Sequence, residues 1–373
     1  MKEPIRILHV IGSMNRGGAE NMIMNYYRNI DRKMVQFDFV ENIDKEAAFD
    51  SEIKALGGRI YRCPHYNIKN HFFYVRWWKN FLEKHAKEYT AIHGHLGSTA
   101  AIYLSLAKKY GLYTIAHSHS ANGKPHNLKD VAYRLFSYPT RFVADYFFAC
   151  SKAAGVTRYG KKVSQSPKCR VLNNAIDTGH FAFREELRSQ VRNSLQIPPD
   201  ALVVGHVGRF VEVKNHSLLL NIFSEVRKKN DSAILLLVGD GELRGMIEER
   251  AGKLGVAKYV VFLGEHSDVS PYYQAMDVFV FPSLYEGLPL TLVEAQTVGL
   301  PCVVSNRVSP ECVVTHDLVT VQSLESSPQV WGEHILSISC AGRAGYANQV
   351  AANGYDITET VKWLQGFYLK IGG

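Results

Sequence analysis

Residues Val278–Ala295, VFVFPSLYEGLPLTLVEA, contain the clearest indication of the fold. Its first four residues are apolar and either β-branched or aromatic, which is typical of a buried strand. Glu286 follows this strand, and Glu294 lies eight residues later, inside the next predicted helix, 289–298. A strand that leads through a turn into a helix is the repeating unit of a parallel sheet covered by helices on both faces.

The same alternation continues on both sides of this stretch. In the second half of the chain, the predicted strands are Leu202–Val207, Ile234–Val238, Val260–Leu263, Val278–Phe281 and Cys302–Val304, and the predicted helices are 215–229, 242–254, 270–276 and 289–298. In the first half, the predicted strands are Ile5–Ile11, Val35–Val40, Thr90–His93, Tyr113–Ala116 and Tyr146–Cys150, and the predicted helices are 18–30, 46–56, 71–86, 99–110 and 129–142. The fold class is therefore α/β, with a parallel sheet in each half.

The chain of 373 residues is long enough for two domains. We place their boundary in Asn173–Arg184, where a strand-like run gives way to Asn, Asp, Thr and Gly. The predicted domains are residues 1–175 and 176–355. The tail 356–373 contains a predicted helix with apolar residues at helical spacing, and it is a candidate to pack back on the first domain.

Composition excludes several classes of protein. Hydrophobic residues make up 46% and charged residues 21% of the chain, so disordered, collagen-like and coiled-coil classes are excluded. The sequence has no apolar run of about 18 residues, and Ile7–Ile11 is interpreted as part of a strand, not as a signal peptide. The six cysteines form no C-x-x-C pair, which favours reduced thiols and a cytoplasmic protein.

Charge is distributed unevenly along the chain. Residues 1–178 contain 27 Lys and Arg against 14 Asp and Glu, a net charge of +13, whereas residues 179–373 carry a net charge of −5. The asymmetry suggests that the first half faces something anionic, such as a phosphorylated substrate, an anionic membrane surface or nucleic acid. Scattered charge on a solvated surface is the plainer alternative.

A candidate phosphate site lies in Gly205–Asn215, GHVGRFVEVKN. Arg209 follows the end of a strand, and Lys214 stands five positions later, where a helix begins. An Arg can hold phosphate oxygens with two hydrogen bonds, a Lys adds a point charge, and a helix N-terminus adds partial positive charge. This pattern predicts a diphosphate cradle without a Walker motif. Ordinary surface basic residues are the alternative.

The two carboxylates Glu286 and Glu294 are candidates to face one cleft, because their spacing is about two helical turns. Carboxylates accept hydrogen bonds from sugar and ribose hydroxyl groups. The N–H groups of Leu290–Leu292, which open the helix, are predicted to be free to receive phosphate. A general acid and base pair, as in glycoside hydrolases, is the competing interpretation.

Together these motifs resemble the retaining GT-B glycosyltransferases of family 4, the group 1 glycosyl transferases, and especially enzymes of bacterial exopolysaccharide and capsule biosynthesis. The resemblance extends over most of the chain. It rests on the pattern of Arg209, Lys214 and the two glutamates, and on four shorter matches: Gly17-Gly18-Ala19-Glu20, Asn174-Ala175-Ile176-Asp177, Val238-Gly239-Asp240-Gly241 and Leu263-Gly264.

The resemblance implies a GT-B fold, in which two Rossmann-like lobes face an interdomain cleft. It implies retaining transfer of a sugar from a nucleotide-sugar, for which we expect a UDP-linked donor, to a polyprenyl-diphosphate-linked or saccharide acceptor. The implied catalytic residues are His117, near the anomeric centre, and Glu286, on the hydroxyls of the transferred sugar. The implied donor-binding residues are Gly17, Gly18, Arg209, Lys214, Gly264, Glu265, His266, Gly287, Leu290, Thr291, Leu292 and Glu294.

Other histidines are weaker candidates. His119 follows His117 by two residues, and a loop histidine bonded to backbone is the favoured interpretation for it. His93 and His95 are expected to be structural. A nucleotide-sugar epimerase of the same architecture is the alternative enzyme, although the spacing of the two glutamates is less expected there.

We expect neither a metal nor a cofactor. No Asp-x-Asp sequence occurs in the chain, so the usual metal clamp for a nucleotide diphosphate is absent. We expect no nucleic-acid partner, because such a partner leaves the two glutamates unexplained. The expected location is cytoplasmic, with the basic half a candidate to dock on the inner face of the cell membrane.

One segment of the basic half supports that docking hypothesis. Residues 71–84, HFFYVRWWKNFLEK, mix aromatic and basic side chains, as helices at membrane interfaces do. Apolar residues occupy nearly every side of this helix, however, so packing on the sheet is the favoured interpretation for much of it.

Overall fold

The computed structural model describes residues 3–15, 17–119, 131, 135–286, 288–338 and 342–373. The chain divides into two compact units. The first unit contains residues 1–175 and 357–373, and the second unit contains residues 176–356.

The first unit is built on a seven-stranded sheet in which every pair of neighbouring strands is parallel. Its strand order is β3-β2-β1-β4-β5-β6-β7. The strands are β1 Ile5–Ile11, β2 Val35–Glu41, β3 Ile60–Arg62, β4 Ala91–Gly94, β5 Tyr113–Ser118, β6 Tyr146–Ala149 and β7 Cys169–Val171. The helices are α1 Gly18–Asn29, α2 Asp50–Ala55, α3 His71–His85, α4 Ala100–Lys109, α5 Thr140–Val143, α6 Lys152–Tyr159 and α7 Lys161–Ser164.

Both faces of this sheet are buried, as β1 illustrates. Side chains alternate between the two faces of a strand. Ile7 and Ile11 belong to the hydrophobic cluster on one face, while Leu8 and Val10 belong to the cluster on the other. His9 therefore lies on the same face as Ile7 and Ile11.

A C-terminal helix, Ile357–Gly372, covers that same face of the first unit. Its buried residues Ile357, Val361, Leu364 and Tyr368 recur every three or four positions, so they form one apolar stripe. This stripe joins the hydrophobic cluster that contains Ile7. The last helix of the chain therefore completes the core of the first unit.

The second unit contains a six-stranded parallel sheet with the order β10-β9-β8-β11-β12-β13. The strands are β8 Val203–Val207, β9 Ile234–Val238, β10 Val260–Gly264, β11 Val278–Phe281, β12 Cys302–Ser305 and β13 Val319–Gln322. The helices are α8 Glu185–Ser194, α9 His216–Lys229, α10 Arg244–Lys253, α11 Ser270–Ala275, α12 Leu290–Thr297, α13 Pro328–Ser337 and α14 Tyr346–Val350.

Each sheet has one point at which the strand order reverses. In the first unit β1 lies between β2 and β4, and in the second unit β8 lies between β9 and β11. Ligands of open parallel sheets bind beyond the carboxyl ends of the strands at such a point. The loops after β1, β4, β8 and β11 are therefore the ones that this fold places best for chemistry.

The predicted fold class, with two Rossmann-like parallel sheets, is confirmed. All ten strands predicted from the sequence are present. The pattern does not predict β3 or β13, the short strands at two sheet edges, nor the helices α6, α7, α8, α13 and α14. Residues 129, 130 and 132–134 of the predicted helix 129–142 lie outside the described residues, and α5, Thr140–Val143, occupies the end of the predicted range.

Two further predictions concern membrane-spanning segments and disulfide bonds. Within the described ranges, every helix is too short or too polar to cross a lipid bilayer. The described cysteines are free thiols: Cys63, Cys150, Cys169, Cys302 and Cys312.

Candidate active site

The turn after β8 is held close to the end of β9. The N–H of Gly208 donates to the carbonyl oxygen of Val238 at 2.9 Å, and the N–H of Phe210 donates to that of Asp240 at 2.9 Å. A Cβ on Gly239 would lie 2.2 Å from the carbonyl oxygen of Gly208, and the φ of Gly239 is +131°. Only glycine fits there, so the glycine motif after β9 serves to bring two strand ends together.

Arg209 and Lys214 both belong to this turn, but their surroundings differ. Arg209 is exposed, and no described group forms a hydrogen bond or ion pair with its side chain. The Nζ of Lys214 lies 2.7 Å from the Oε1 of Glu286, and each side chain is less than one-fifth exposed. Lys214 also lies 4.8 Å from the ring centroid of Phe281, at the end of β11.

Asn215 ties the same turn to β11. It begins α9 in the left-handed conformation, with φ 55°, and its side-chain oxygen accepts from the N–H of Leu218. Its side-chain amide donates to the carbonyl oxygen of Pro282 at 3.2 Å. The two loops at the point of strand reversal are therefore joined by a hydrogen bond and by the Lys214–Glu286 ion pair.

Glu286 is held by backbone contacts with the loop after β12. The N–H of Ser309 donates to the carbonyl oxygen of Glu286 at 3.2 Å, and Glu286 pairs with Val308 as an isolated parallel bridge. These contacts fix the backbone, so the carboxylate is presented to Lys214 from a defined position.

Glu294 lies on α12, where it meets a buried tyrosine. The hydroxyl of Tyr273 lies 2.9 Å from the Oε2 of Glu294 and donates to it. Burial raises the pKa of Glu294 to about 7, and Asp268 adds to this, while the Tyr273 hydrogen bond and the charge of Lys214 act in the opposite direction. Glu294 is therefore a carboxyl group that titrates near neutral pH.

The start of α12 corrects one detail of the prediction. The N–H of Leu292 is not free, because it donates to the carbonyl oxygen of Pro289 at 3.2 Å in a tight first turn. The Leu292 side chain is fully buried. Leu290 and Thr291 precede it in the first turn, and the Oγ1 of Thr291 is buried with no hydrogen-bond partner among the described residues. Gly287 lies outside the described residues.

The Gly264–His266 loop follows β10. Gly264 has a φ of +78°, and its carbonyl oxygen accepts from the N–H of Gly239 at 2.7 Å. Glu265 and His266 are exposed. The ring of His266 lies 4.6 Å from that of Tyr272, the neighbour of Tyr273 on α11. Helix α11 thus contacts both this loop and Glu294.

In the first unit, Gly17 and Gly18 stand at the start of α1. A Cβ on Gly17 would lie 2.3 Å from a carboxylate oxygen of Glu20, whereas a Cβ on Gly18 would meet nothing within 4 Å. The space beside Gly18 is therefore open.

His117 belongs to a larger group of histidines than the sequence indicated. The five buried or half-buried rings at the carboxyl ends of three adjacent strands are those of His9, His93, His95, His117 and His119. His117 is bonded to His93 at 3.2 Å, and its Nε2 has no hydrogen-bond partner among the described residues. Burial lowers the pKa of His117 well below its ordinary value.

Two sets of three histidines are close enough to share a metal ion. Ring nitrogens of His9, His93 and His95 lie within 4.8 Å of one another, and so do those of His95, His117 and His119. Both nitrogens of His95, however, already lie within hydrogen-bond distance of other rings, at 2.9 and 2.7 Å. The expectation that the protein needs no metal stays a prediction.

A pocket of about 320 Å³ opens beyond the carboxyl ends of β1, β2 and β4. Neutral side chains contribute most of its polar lining, among them Ser13, Asn42, Tyr66, Ser98 and Thr99. Such a lining suits hydroxyl and amide groups of a ligand.

Comparison with known proteins identifies the family. The sequence model described as glycosyl transferases group 1 matches residues 188–339. The putative glycosyltransferase EpsF of Bacillus subtilis (strain 168) is 36% identical over 369 residues, which cover 97% of this chain and 96% of that one. The chain belongs to the group 1 glycosyl transferases.

One further relative and one solved structure are similar to this chain. An Escherichia coli UDP-Gal:alpha-D-GlcNAc-diphosphoundecaprenol alpha-1,3-galactosyltransferase is 27% identical over 215 residues, 55% of this chain and 54% of that one. The crystal structure of Anabaena Alr3699/HepE in complex with UDP matches with a TM-score of 0.79 and 16% identity, and covers 97% of this chain and 99% of that one. The fold is that of GT-B glycosyltransferases.

Sequence reasoning missed three residues of these sites: His9, Tyr273 and Tyr368. A histidine inside the apolar strand Ile5–Ile11 is a signal that the sequence offers for His9. The structure pairs it with His93 in the register of β1 and β4. Tyr273 and Tyr368 reach Glu294 and His93 from helices distant in sequence. No local pattern marks them.

Proposed function

We propose that this glycosyltransferase is a retaining, metal-independent hexosyltransferase. It moves a sugar from a UDP-sugar to a lipid-linked or saccharide acceptor in surface polysaccharide biosynthesis. The observation that carries the proposal is the meeting of Lys214 and Glu286 between β8 and β11, with Glu294 near enough for the charge of Lys214 to lower its pKa.

Lys214 and Arg209 would bind the diphosphate of the donor. In the free protein the carboxylate of Glu286 holds the ammonium of Lys214 in place, so the ammonium has a defined position from which to contact an anionic ligand. Arg209 is exposed and unpaired among the described residues, and it is available to add two parallel hydrogen bonds to phosphate oxygens. Together they would neutralise the diphosphate as it leaves, which removes the need for a metal clamp.

The two glutamates would bind different hydroxyl groups. Glu294, positioned by Tyr273, would accept hydrogen bonds from the ribose. Glu286, beside Lys214, would accept hydrogen bonds from the transferred sugar close to the diphosphate. The loop Gly264–His266 would meet the nucleobase through its backbone, and the N–H groups of Leu290 and Thr291 would face phosphate.

Retention is proposed to proceed on one face of the sugar. In this mechanism the acceptor hydroxyl attacks the anomeric carbon on the side from which the diphosphate departs, and a phosphate oxygen takes its proton. The new glycosidic bond forms as the bond to the diphosphate breaks. A double displacement would need a covalent nucleophile, and Glu286 is already engaged with Lys214.

The acceptor would bind to the first unit. The name of the Escherichia coli relative gives a diphosphoundecaprenol-linked acceptor, and the net charge of +13 over residues 1–178 suits such a diphosphate. The pocket beyond β1, β2 and β4, with its neutral hydroxyl and amide groups, suits the sugar end of the same acceptor.

A donor screen tests the proposal. The purified protein is incubated with UDP- and GDP-sugars, with and without undecaprenyl-diphosphate-linked sugars, in buffer containing EDTA. We expect transfer from a UDP-sugar in EDTA, with a product whose anomeric configuration by NMR equals that of the donor. Inversion, loss of activity in EDTA, or conversion of the UDP-sugar to its epimer without an acceptor would each contradict it.

A further inference from the structure

Two chains of hydrogen-bonded rings run through the buried histidines of the first unit. In one chain, His95 lies between His9 and His119, at 2.9 and 2.7 Å. In the other, His93 lies between Tyr368 and His117. The Nδ1 of His93 is 2.7 Å from the hydroxyl of Tyr368, and its Nε2 is 3.2 Å from the Nδ1 of His117.

The second chain has a defined direction, which begins at Tyr368. This residue is fully buried on the C-terminal helix, and burial raises the pKa of its phenol well above the ordinary value, so the hydroxyl keeps its proton. The Nδ1 of His93 is the one acceptor within reach among the described residues. The reverse direction would leave both the Tyr368 O–H and the Nε2 lone pair of His117 without a partner among the described residues, whereas this direction leaves the Nε2–H of His117 alone. Because each unpaired buried polar group is costly, Tyr368 donates to His93.

This first bond determines the two that follow. The Nδ1 of His93 must carry a lone pair, and burial keeps the ring neutral by lowering its pKa, so the proton of His93 resides on Nε2. That N–H donates to the Nδ1 of His117. His117 is neutral for the same reason, so its proton resides on Nε2, the nitrogen without a partner among the described residues.

We propose that Tyr368, acting through His93, fixes His117 as the Nε2–H tautomer, so that His117 serves as a neutral hydrogen-bond donor. Tyr368 and His93 are positioning residues. The functional consequence rests on the proposed function and on the place near the anomeric centre that the family resemblance implies for His117. A donor at this position stabilises an oxygen that gains negative charge, whereas the other tautomer would present a lone pair and repel it.

The same distances argue against a metal ion in this chain of residues. A tetrahedral zinc ion binds imidazole nitrogens through lone pairs at about 2.0–2.1 Å. Both nitrogens of His93 are engaged with Tyr368 and His117, so a metal ligated by His93 would have to break one of those bonds. Metal binding is an outcome that the experiment below detects.

The test measures the tautomer of His117 by NMR. The full-length protein is labelled with ¹⁵N-histidine, and the signals of His117 are assigned by comparison with His117→Gln. We expect wild-type His117 to be protonated at Nε2 alone. In Tyr368→Phe, which keeps the buried ring but removes the donor, we expect a mixture of the two tautomers.

Tyr103→Phe is the matched control. Tyr103 is fully buried in the same unit, on the opposite face of the sheet, and its hydroxyl donates to the carbonyl oxygen of Leu96. Its loss should leave the tautomer of His117 unchanged. A wild-type His117 that is protonated at Nδ1, or one mole of zinc bound per mole of protein at the histidines, overturns the proposal, even where Tyr368→Phe fails to fold.

Activity supplies the second measurement. With the UDP-sugar found in the donor screen, Tyr368→Phe should lower kcat about two- to tenfold while leaving the Kd for UDP unchanged. A tautomer mixture with an unchanged kcat overturns the role assigned to His117. If no nucleotide-sugar is a substrate, the proposed function fails, and the wild-type tautomer still decides the structural inference.

Discussion

At the residue scale, Lys214 forms an ion pair with Glu286 and is a proposed ligand of the donor diphosphate. Its substitution should therefore differ in effect from that of an exposed lysine. Its ammonium is paired with Glu286 at 2.7 Å, and the two side chains are mostly buried. If Lys214 binds the diphosphate as proposed, removing the ammonium deletes a charge-assisted hydrogen bond to it and also takes the cationic partner away from the carboxylate of Glu286.

We therefore expect Lys214→Ala to weaken UDP binding by about 10- to 150-fold, because a hydrogen bond to a charged group contributes about 1.5–3 kcal/mol. Isothermal titration calorimetry measures this directly. Lys253→Ala, which removes an exposed lysine of the same unit, should leave UDP affinity as it is. Equal affinities of wild type and Lys214→Ala would remove Lys214 from the donor site.

Glu294 gives the site a dependence on pH. Its pKa is raised to about 7, chiefly by burial, so protonation increases as pH falls below 7 and ionisation increases above it. Ribose hydroxyls donate more strongly to the ionised form. UDP-glucose, whose diphosphate does not titrate in this range, should therefore bind about three- to tenfold more tightly at pH 8 than at pH 6.

The Glu294→Gln variant provides the check, because its amide does not titrate. Its affinity for UDP-glucose should be lower than that of wild type at pH 8 and constant between pH 6 and 8. Glu286→Gln should keep the pH dependence. A pH-independent wild type, or a dependence that survives in Glu294→Gln, would show that another group titrates.

The sequence identified candidates within single loops better than contacts between distant segments. Arg209 and Lys214, or Glu286 and Glu294, lie close together in the chain, and strand-to-helix turns mark them. The tyrosines that form hydrogen bonds with Glu294 and His93 lie far from them in the sequence. Tyr273 lies on α11 and Tyr368 on the C-terminal helix, so only folding brings these pairs together. The functional roles of all these residues stay predictions.

At the scale of elements, hydrophobic runs predicted the central strands well. A central strand of a parallel sheet is covered on both faces, so it is apolar throughout, as β11 is. The edge strands β3 and β13 are short and partly exposed, with Arg62 and Gln322 among their few residues. Their composition does not differ from that of a loop, and no periodicity could reveal them.

Asp277, just before β11, anchors three elements of the second unit at the end of the sheet opposite the proposed donor site. Its carboxylate accepts from Arg188 at 2.5 Å and Arg192 at 2.6 Å on α8, and from the N–H of Val203 at 2.8 Å at the start of β8. All three side chains are less than one-fifth exposed. Removing the carboxylate charge takes away the ion-pair partner shared by these two guanidinium groups and by that of Arg343, which lies 3.7 Å away.

We expect Asp277→Asn to destabilise the second unit by about 3–5 kcal/mol. Urea denaturation followed by circular dichroism measures the shift in midpoint. Glu249→Gln, which breaks an exposed pair with Lys253, should change stability by less than about 1 kcal/mol. The folded fraction of Asp277→Asn should still bind UDP as wild type does. A loss of stability in Glu249→Gln as large as that in Asp277→Asn would contradict this account.

At the scale of the whole molecule, charge and exposed apolar surface coincide in the first unit. Helix α3 buries Tyr74, Trp78, Phe81 and Leu82 against the sheet. Trp77 stacks on Phe81, with ring centroids 5.2 Å apart. Both tryptophans of the aromatic segment thus contribute to packing. The exposed aromatic residues of this segment are instead Phe72 and Phe73, which are 89% and 60% exposed.

Phe72 and Phe73 stand at the start of α3, and the exposed Arg76 and Lys79 follow on the same helix. Apolar rings that enter the headgroup region beside cationic side chains are the usual means by which a helix docks on an anionic bilayer. We therefore propose that α3 brings the first unit to the membrane that would hold a lipid-linked acceptor.

If α3 docks in this way, binding to anionic vesicles should exceed binding to neutral ones and should fall as salt rises, since each Lys or Arg near the surface contributes about 1 kcal/mol that is screened over a Debye length. Reversal of both charges, with Arg76→Glu and Lys79→Glu, should weaken vesicle binding at least about tenfold. The double variant Lys229→Glu and Lys253→Glu makes the same change in net charge on the second unit, so it should bind vesicles more tightly than the α3 variant does. Vesicle sedimentation at low and high salt measures all three proteins. Equal recovery of wild type with anionic and neutral vesicles at low salt would mean that the basic charge of the first unit serves the acceptor's phosphates and not the bilayer.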